Sequence, residues 1–255
     1  MRLTTIGTGT AAPSPTRVCS AHLAEAGSVR LLMDCGSGAV HRMSSLGLSW
    51  MGITHVALTH FHADHISDVA VLIFAWRYGE LPARSAPVEL IGPVGTAALF
   101  DKLAAAFGEW MKAPGFPLVV REMEAGASID LGDGVTLSSR AVPHTEESVA
   151  YSVLRGAARC VYTGDTGFDE SFGEWAAGCG VLLSECSLPE AMAIPTHLTP
   201  AQCGALAGRA QPGRLALTHF YPPVERVDIR AIVAQSFAGD VALAVDGWST
   251  ELEEA

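Results

Sequence analysis

The sequence predicts an α/β protein in which two stacked sheets lie between outer helices. Three observations carry this. Short runs of strand formers recur along the whole chain and alternate with segments of helical spacing. Several of those runs are apolar throughout, as strands covered on both faces are. No linker, low-complexity tract or charge block divides the 255 residues, 49% of them hydrophobic, so 1–255 reads as a single domain able to bury a full core.

In order, strands are expected at Leu3–Ile6, His22–Glu25 and Arg30–Met33, joined by Gly- and Pro-rich turns. Gly7-Thr8-Gly9-Thr10-Ala11-Ala12 has the outline of a dinucleotide-binding fingerprint. Pro13 and Pro15 follow at once and no apolar helix opens there, so the glycines read instead as a loop that lets backbone approach backbone. Asp34-Cys35-Gly36-Ser37-Gly38 closes the third strand ahead of a helix running to Leu46. Val56-Ala57-Leu58-Thr59 is a short buried strand that runs into His60-Phe61-His62-Ala63-Asp64-His65. Beyond it, Ile66, Val69, Ala70, Ile73 and Phe74 recur at helical spacing, which casts Asp64 as an N-cap with His65 in the first turn.

A strand at Val88–Ile91, a helix at about 95–107 and a loop at 108–117 come next. That loop carries Trp110, Met111 and Phe116, which with Trp76 are candidates for an apolar wall or a lid, core packing being the default for Trp76. The second half repeats the theme, with strands near 118–123, 135–142, 149–154, 159–163 and 181–185 and helices near 168–177 and 199–209. A strand at Leu215–Thr218, a helix at Val227–Phe237 and a last strand at Val241–Val245 complete the set, leaving Glu251–Ala255 as a tail.

Net charge is −11 with 16 Lys and Arg and no basic run, which argues against broad electrostatic capture of nucleic acid or of an anionic membrane. Six cysteines without a CxxC pair read as reduced core residues of a cytoplasmic protein. Met1–Ile6 is an alternating strand rather than a secretion signal, and the longest apolar run, Val69–Trp76, is far short of a membrane span.

Three imidazoles and a carboxylate within the hexapeptide are a ligand density that packing does not call for. In extended chain His60 and His62 point the same way and can grip one ion, while the turn aims Asp64 and His65 at a second position. Three more candidates each end a predicted strand: His144 after Thr136–Val142, Asp165 after Cys160–Thr163, and His219 after Leu215–Thr218. Five His and two Asp suit two cations sharing one carboxylate.

At this point the chain resembles the metallo-β-lactamase superfamily of dinuclear hydrolases, and within it the ribonuclease Z branch. The matching stretches span nearly all of it: Ile6-Gly7-Thr8-Gly9 through Pro13 and Arg17, Leu32-Met33-Asp34-Cys35-Gly36, Leu58 to His65, Thr163-Gly164-Asp165-Thr166, Ser184-Glu185-Cys186, His197-Leu198-Thr199 and Leu217-Thr218-His219-Phe220. The resemblance implies a four-layer αββα sandwich of two mixed sheets. It places His60, His62 and His144 on one metal and Asp64, His65 and His219 on the other, with Asp165 bridging. Two Zn²⁺ ions are implied, although the same donors accept Mn²⁺ or Fe²⁺. Asp34 would orient a ligand imidazole. His197 would contact the scissile phosphate and protonate the leaving oxygen, oriented by Glu185, with Asp64 also in the catalytic set.

One departure matters. Members of this branch that process transfer RNA typically carry a long protruding arm between the positions of His144 and Asp165, where this chain has only twenty residues. The expectation is therefore a metal-dependent phosphodiesterase acting on a small-molecule or nucleotide phosphodiester. Transfer RNA 3′ processing comes second, and a lactonase or other acyl hydrolase or a non-catalytic metal-binding module are further alternatives. The resemblance also raises a homodimer, and no membrane partner is expected.

Overall fold

A computed structural model describes residues 1–254. One sheet is built from β1 (Arg2–Gly7), β2 (Ala21–Ala26), β3 (Val29–Met33), β4 (His55–Ala57), β5 (Val88–Gly92) and β6 (Leu118–Glu122). The other holds β7 (Ser128–Asp130), β8 (Val135–Ala141), β9 (Val149–Arg155), β10 (Ala158–Tyr162), β11 (Val181–Glu185), β12 (Arg214–Thr218) and β13 (Val241–Leu243). A last strand, β14 (Ser249–Glu251), returns to the first sheet, so each sheet has seven strands, in the orders β14-β1-β2-β3-β4-β5-β6 and β13-β12-β11-β10-β9-β8-β7. Both are mixed. β3 to β6 run parallel in the first, as do β10 to β13 in the second, and the remaining pairs are antiparallel.

Strand alternation sorts the side chains into layers. Leu3, Met33, Ala57 and Ile91 face Leu137, Tyr151, Leu183 and Ala216 across the space between the sheets. Outside the first sheet, Leu32, Val56 and Leu90 pack under α1 (Ala39–Ser45), α3 (Val69–Tyr78) and α4 (Thr96–Phe107), α2 being the short turn Ala63–Ile66. Outside the second, Val161, Leu182 and Leu217 pack under α5 (Glu170–Trp175), α6 (Pro200–Ala210) and α7 (Ile229–Val233). The αββα sandwich is thus as expected. No helix among the described residues is long and apolar enough to cross a membrane, and all six cysteines are free thiols.

Local differences have physical reasons. His62, not Asp64, occupies the N-cap position of α2, and Asp64 lies inside it. The apolar spacing from Ile66 onward conceals a break at Ser67–Asp68, where Asp68 Oδ2 accepts the backbone N–H of Val40. β7 and β14 were not anticipated, because three-residue strands such as Ser249-Thr250-Glu251 carry no apolar alternation. β14 pairs with β1, the N-terminal ammonium donates to Leu252 O, and Glu254 pairs with that same ammonium, so part of the expected tail closes a sheet edge. The helix expected at Val227–Phe237 shortens to α7.

The 108–117 loop is neither wall nor lid to the predicted ligands. It leads into the start of β6, at the end of the parallel strands opposite His60. Met111 and Phe116 are buried with Trp76 in the outer core, and Trp110 packs half-buried at its margin. Trp76 is held edge-on to Phe116 and bonds Trp50 O.

Candidate metal centre

The seven predicted ligands meet at the C-terminal ends of the parallel strands, where α/β sheets commonly place their ligands. Two inter-sheet contacts fix that edge. Tyr151 Oη donates to Leu58 O at 2.8 Å, and Val149 N donates to Thr59 O at 3.0 Å. The hexapeptide turn is clamped to the β3 loop, since Cys35 N donates to His65 O at 2.7 Å and Asp68 N to Cys35 O at 2.9 Å. Gly36 permits this approach, because a Cβ there would lie 2.0 Å from Asp64 O. Gly36→Ala is expected to push the turn outward, lose bound metal and destabilise the fold by about 1–3 kcal/mol. Elemental analysis and thermal unfolding check it.

Ligand atoms of His60, His62, His144 and Asp165 lie within 4.8 Å of one another, as do those of Asp64, His65 and His219. Asp165 sits between the two groups. Its Oδ1 is 3.3 Å from His65 Nε2, and its Oδ2 is 3.4 Å from His219 Nε2 and 3.9 Å from both His60 Nε2 and His144 Nε2. Asp64 Oδ2 is 3.4 Å from His219 Nε2. Gly164, whose φ of 58° suits glycine, makes the turn that delivers Asp165.

Four of the five rings are aimed by a second contact. His65 Nδ1 donates to Asp34 Oδ2 at 2.8 Å. His144 Nδ1 donates to Thr196 O at 2.9 Å, and His219 Nδ1 to Ser187 Oγ at 2.9 Å. His60 Nδ1 donates to Thr59 Oγ1 at 3.0 Å, and that hydroxyl in turn donates to Asp34. These partners assign the Nδ1 proton and leave four Nε2 atoms facing inward. His62, at the exposed rim, presents Nδ1 instead, 3.1 Å from His144 Nε2. Asp34 also accepts from Thr59 N at 2.8 Å and from Tyr162 Oη at 2.9 Å, and it adopts a left-handed φ of 59°; His219 does likewise at 58°. Strain of this kind in non-glycine residues gathers at functional sites.

His197 stands beside this group, stacked on His219 with ring centroids 5.7 Å apart, and its Nδ1 lies 3.1 Å from both oxygens of Glu185. Glu185 is fully buried and otherwise satisfied by Thr166 N, Leu198 N and Ser187 Oγ. A carboxylate only accepts, so Nδ1 carries the proton and Nε2 of His197 is left free. Nothing local in the sequence marks Thr59, Tyr162, Ser187 or Tyr221 as part of the site. Ser187 and Tyr221 each stand two residues past a chosen position, which is the only sequence signal they offer.

The electrostatics favour cations. Burial opposes charge on Asp165, yet the His219 and His65 imidazoles hold its carboxyl well below the usual range. Burial likewise opposes charge on Asp64, but the adjacent His219 and His65 imidazoles bring it down to about 2. Burial, with His65 adjacent, pushes His60 down to about 2, leaving it neutral as a ligand must be. Burial works against a proton on His197, but the hydrogen bond and charge of Glu185 raise its pKa above the ordinary value.

His60 Nε2, His65 Nε2, His219 Nε2 and Asp165 Oδ1 are buried without a hydrogen-bond partner. Four orphaned atoms converging on one place, at about 1–3 kcal/mol each, are costly unless a cation uses them. Nitrogen and carboxylate donors of this kind fit divalent ions.

The αββα sandwich with a His/Asp centre at its strand ends defines a metallo-hydrolase, and the chain belongs to the beta-lactamase superfamily, whose domain description matches residues 29–220. Within it, the chain is similar to ribonuclease Z of Mycobacterium bovis, 30% identical over 273 residues and covering 96% of each chain. That alignment is longer than this chain, so the relative carries residues that this one lacks. The fold is shared with the metallo-beta-lactamase fold protein YhfI from Bacillus subtilis, with a TM-score of 0.84, 24% identity and 98% of each chain covered. Human short-form tRNase Z gives a TM-score of 0.80 at 24% identity, over 99% of this chain and 100% of the other.

Proposed function

We propose that this protein is a metal-dependent phosphodiesterase of the ribonuclease Z branch, acting on a small or nucleotide-type phosphodiester with two divalent cations, Zn²⁺ in first place. The observation that carries this is the convergence of seven His and Asp side chains, four of their buried donor atoms unpartnered, beside a Glu185-held His197. His60, His62 and His144 would hold one ion and Asp64, His65 and His219 the other, with Asp165 reaching both. When bound, such ions acidify a water to a pKa near 7 and place positive charge against phosphoryl oxygens.

The chain's own groups do the rest. Asp34, Thr59, Ser187 and Thr196 O keep the imidazoles aimed, so no reorganisation is needed as charge develops. Glu185 keeps a proton on Nδ1 of His197 and favours the doubly protonated ring. Nε2–H then donates to the departing alkoxide.

A second reading, cleavage of precursor transfer RNA, is favoured by the ribonuclease Z relatives. Against it stand the net charge of −11 and the tight turn from Arg155 to Ala158, which joins β9 to β10 directly where an arm would emerge. The test is elemental analysis of the purified protein followed by a panel of bis-aryl phosphodiester, cyclic nucleotide, lactone and precursor transfer RNA. About two metal equivalents and phosphodiester turnover are expected, both abolished by chelation. A lactone preference that survives His197→Ala would instead mark an acyl hydrolase, and salt-sensitive cleavage of the precursor would promote the second reading.

A further inference from the structure

On the Asp64 side of the centre lies a hollow of about 480 Å³, within the range of small-molecule sites. Its walls include Thr10, Ala12, Pro13, Cys19, Ser37 and Asp64. They are mainly apolar with hydroxyls interspersed. Arg17, the one basic residue lining it, is committed to Glu225 Oε1 at 2.9 Å, Thr8 Oγ1 at 2.6 Å and Ala244 O at 2.8 Å, and its guanidinium lies over Phe220. The hollow therefore suits an uncharged organic group.

Tyr221 stands on the border between hollow and centre. Its backbone N–H is anchored on Ser187 O at 3.3 Å. The half-buried ring is edge-on to His197 and His219, with centroids 6.1 Å and 5.8 Å away at 72° and 82°. Its phenol faces the hydroxyl of Thr10, a wall residue of the hollow. An ester whose phosphate rests at the His/Asp centre and whose organic group reaches the Thr10 wall would lie within reach of this phenol.

We propose that Tyr221 is a specificity-determining residue whose phenol O–H donates to an oxygen of the uncharged group, such as a nucleoside, that runs from the phosphate into the Thr10-walled hollow. This rests on the phosphodiesterase reading and narrows it. Phosphodiesters of hydroxyl-bearing neutral groups are preferred.

The test compares the metal-loaded protein with Tyr221→Phe on two esters that share one leaving group, thymidine 5′-(p-nitrophenyl phosphate) and phenyl p-nitrophenyl phosphate. Loss of one neutral hydrogen bond should lower the ratio of kcat/KM for the thymidine ester to that for the phenyl ester roughly three- to tenfold. The change should fall in KM, with metal content unaltered. Ala12→Trp, which fills the hollow from its wall, should raise KM for the thymidine ester by a similar factor. An unchanged ratio in both variants overturns the proposal, as does a Tyr221→Phe loss equal on both esters, which is what a merely structural role predicts. If the wild-type protein hydrolyses neither ester, the phosphodiesterase reading itself falls and takes this inference with it.

Discussion

Asp165→Asn is expected to leave the protein folded but to drop its metal content from two equivalents toward one or none, with phosphodiester turnover falling roughly a thousandfold. Asp165 alone has carboxylate oxygens within 4 Å of imidazoles from both groups, Oδ1 toward His65 and Oδ2 toward His219, His60 and His144. An amide of the same size keeps one acceptor. It removes the negative charge that would offset bound cations and turns an NH₂ toward an imidazole nitrogen. The left-handed turn at Gly164 and the parallel pairing of β10 with β11 do not depend on that charge, so the fold should persist. Elemental analysis, with thermal unfolding in the presence of a chelator, separates the two effects. The wild type should gain stability from added metal in proportion to ligand binding, and the variant should gain much less. Two full equivalents in the variant would end the bridging assignment.

His197→Ala is the second large expectation, and its size should depend on the leaving group. An alkoxide departs only with a proton, so a nucleotide or alkyl ester should lose about 10²–10⁴ in kcat. A p-nitrophenolate leaves unaided, and that ester should lose little. Metal content should stay near wild type, because Asp165 and the six other predicted ligands do not include His197. The pH dependence follows from Glu185, which raises the His197 pKa. With the protonated ring as the proposed active form, turnover of a poor leaving group is expected below that raised pKa and should be lost as pH rises through it. Glu185→Gln keeps the shape but removes the charge, so this alkaline limb should move to lower pH. Equal losses on both ester types, or an unmoved limb, would mean that His197 only packs beside His219.

How much of this was legible in the sequence can be judged residue by residue. His60, His62, Asp64, His65, His144, Asp165 and His219 announced themselves as candidate ligands because metal-binding side chains are few in kind and these follow strand ends, and both properties are local. The layered architecture was legible for the same reason, since apolar runs such as Val56–Leu58 and Val181–Leu183 state that both faces are covered. The short strands β7 and β14 were not, because three residues are too few to show a pattern, and β14 takes its pairing from Thr4 and its neighbours at the other end of the chain.

The chain order by itself therefore determined the chemistry available: which donors exist, and that each follows a buried strand. Only the tertiary structure decided their use. Asp64 became an inward-facing residue of a short helix because Gly36 lets two backbones touch. Trp76, Met111 and Phe116 went to the outer core because the parallel strands carry their loop to the far end of the sheet. Tyr221, Ser187 and Thr59 acquired their places from contacts across the sheet edges. Ligand identity is a property of single side chains, whereas orientation, second contacts and the hollow beside Asp64 arise only where distant segments meet.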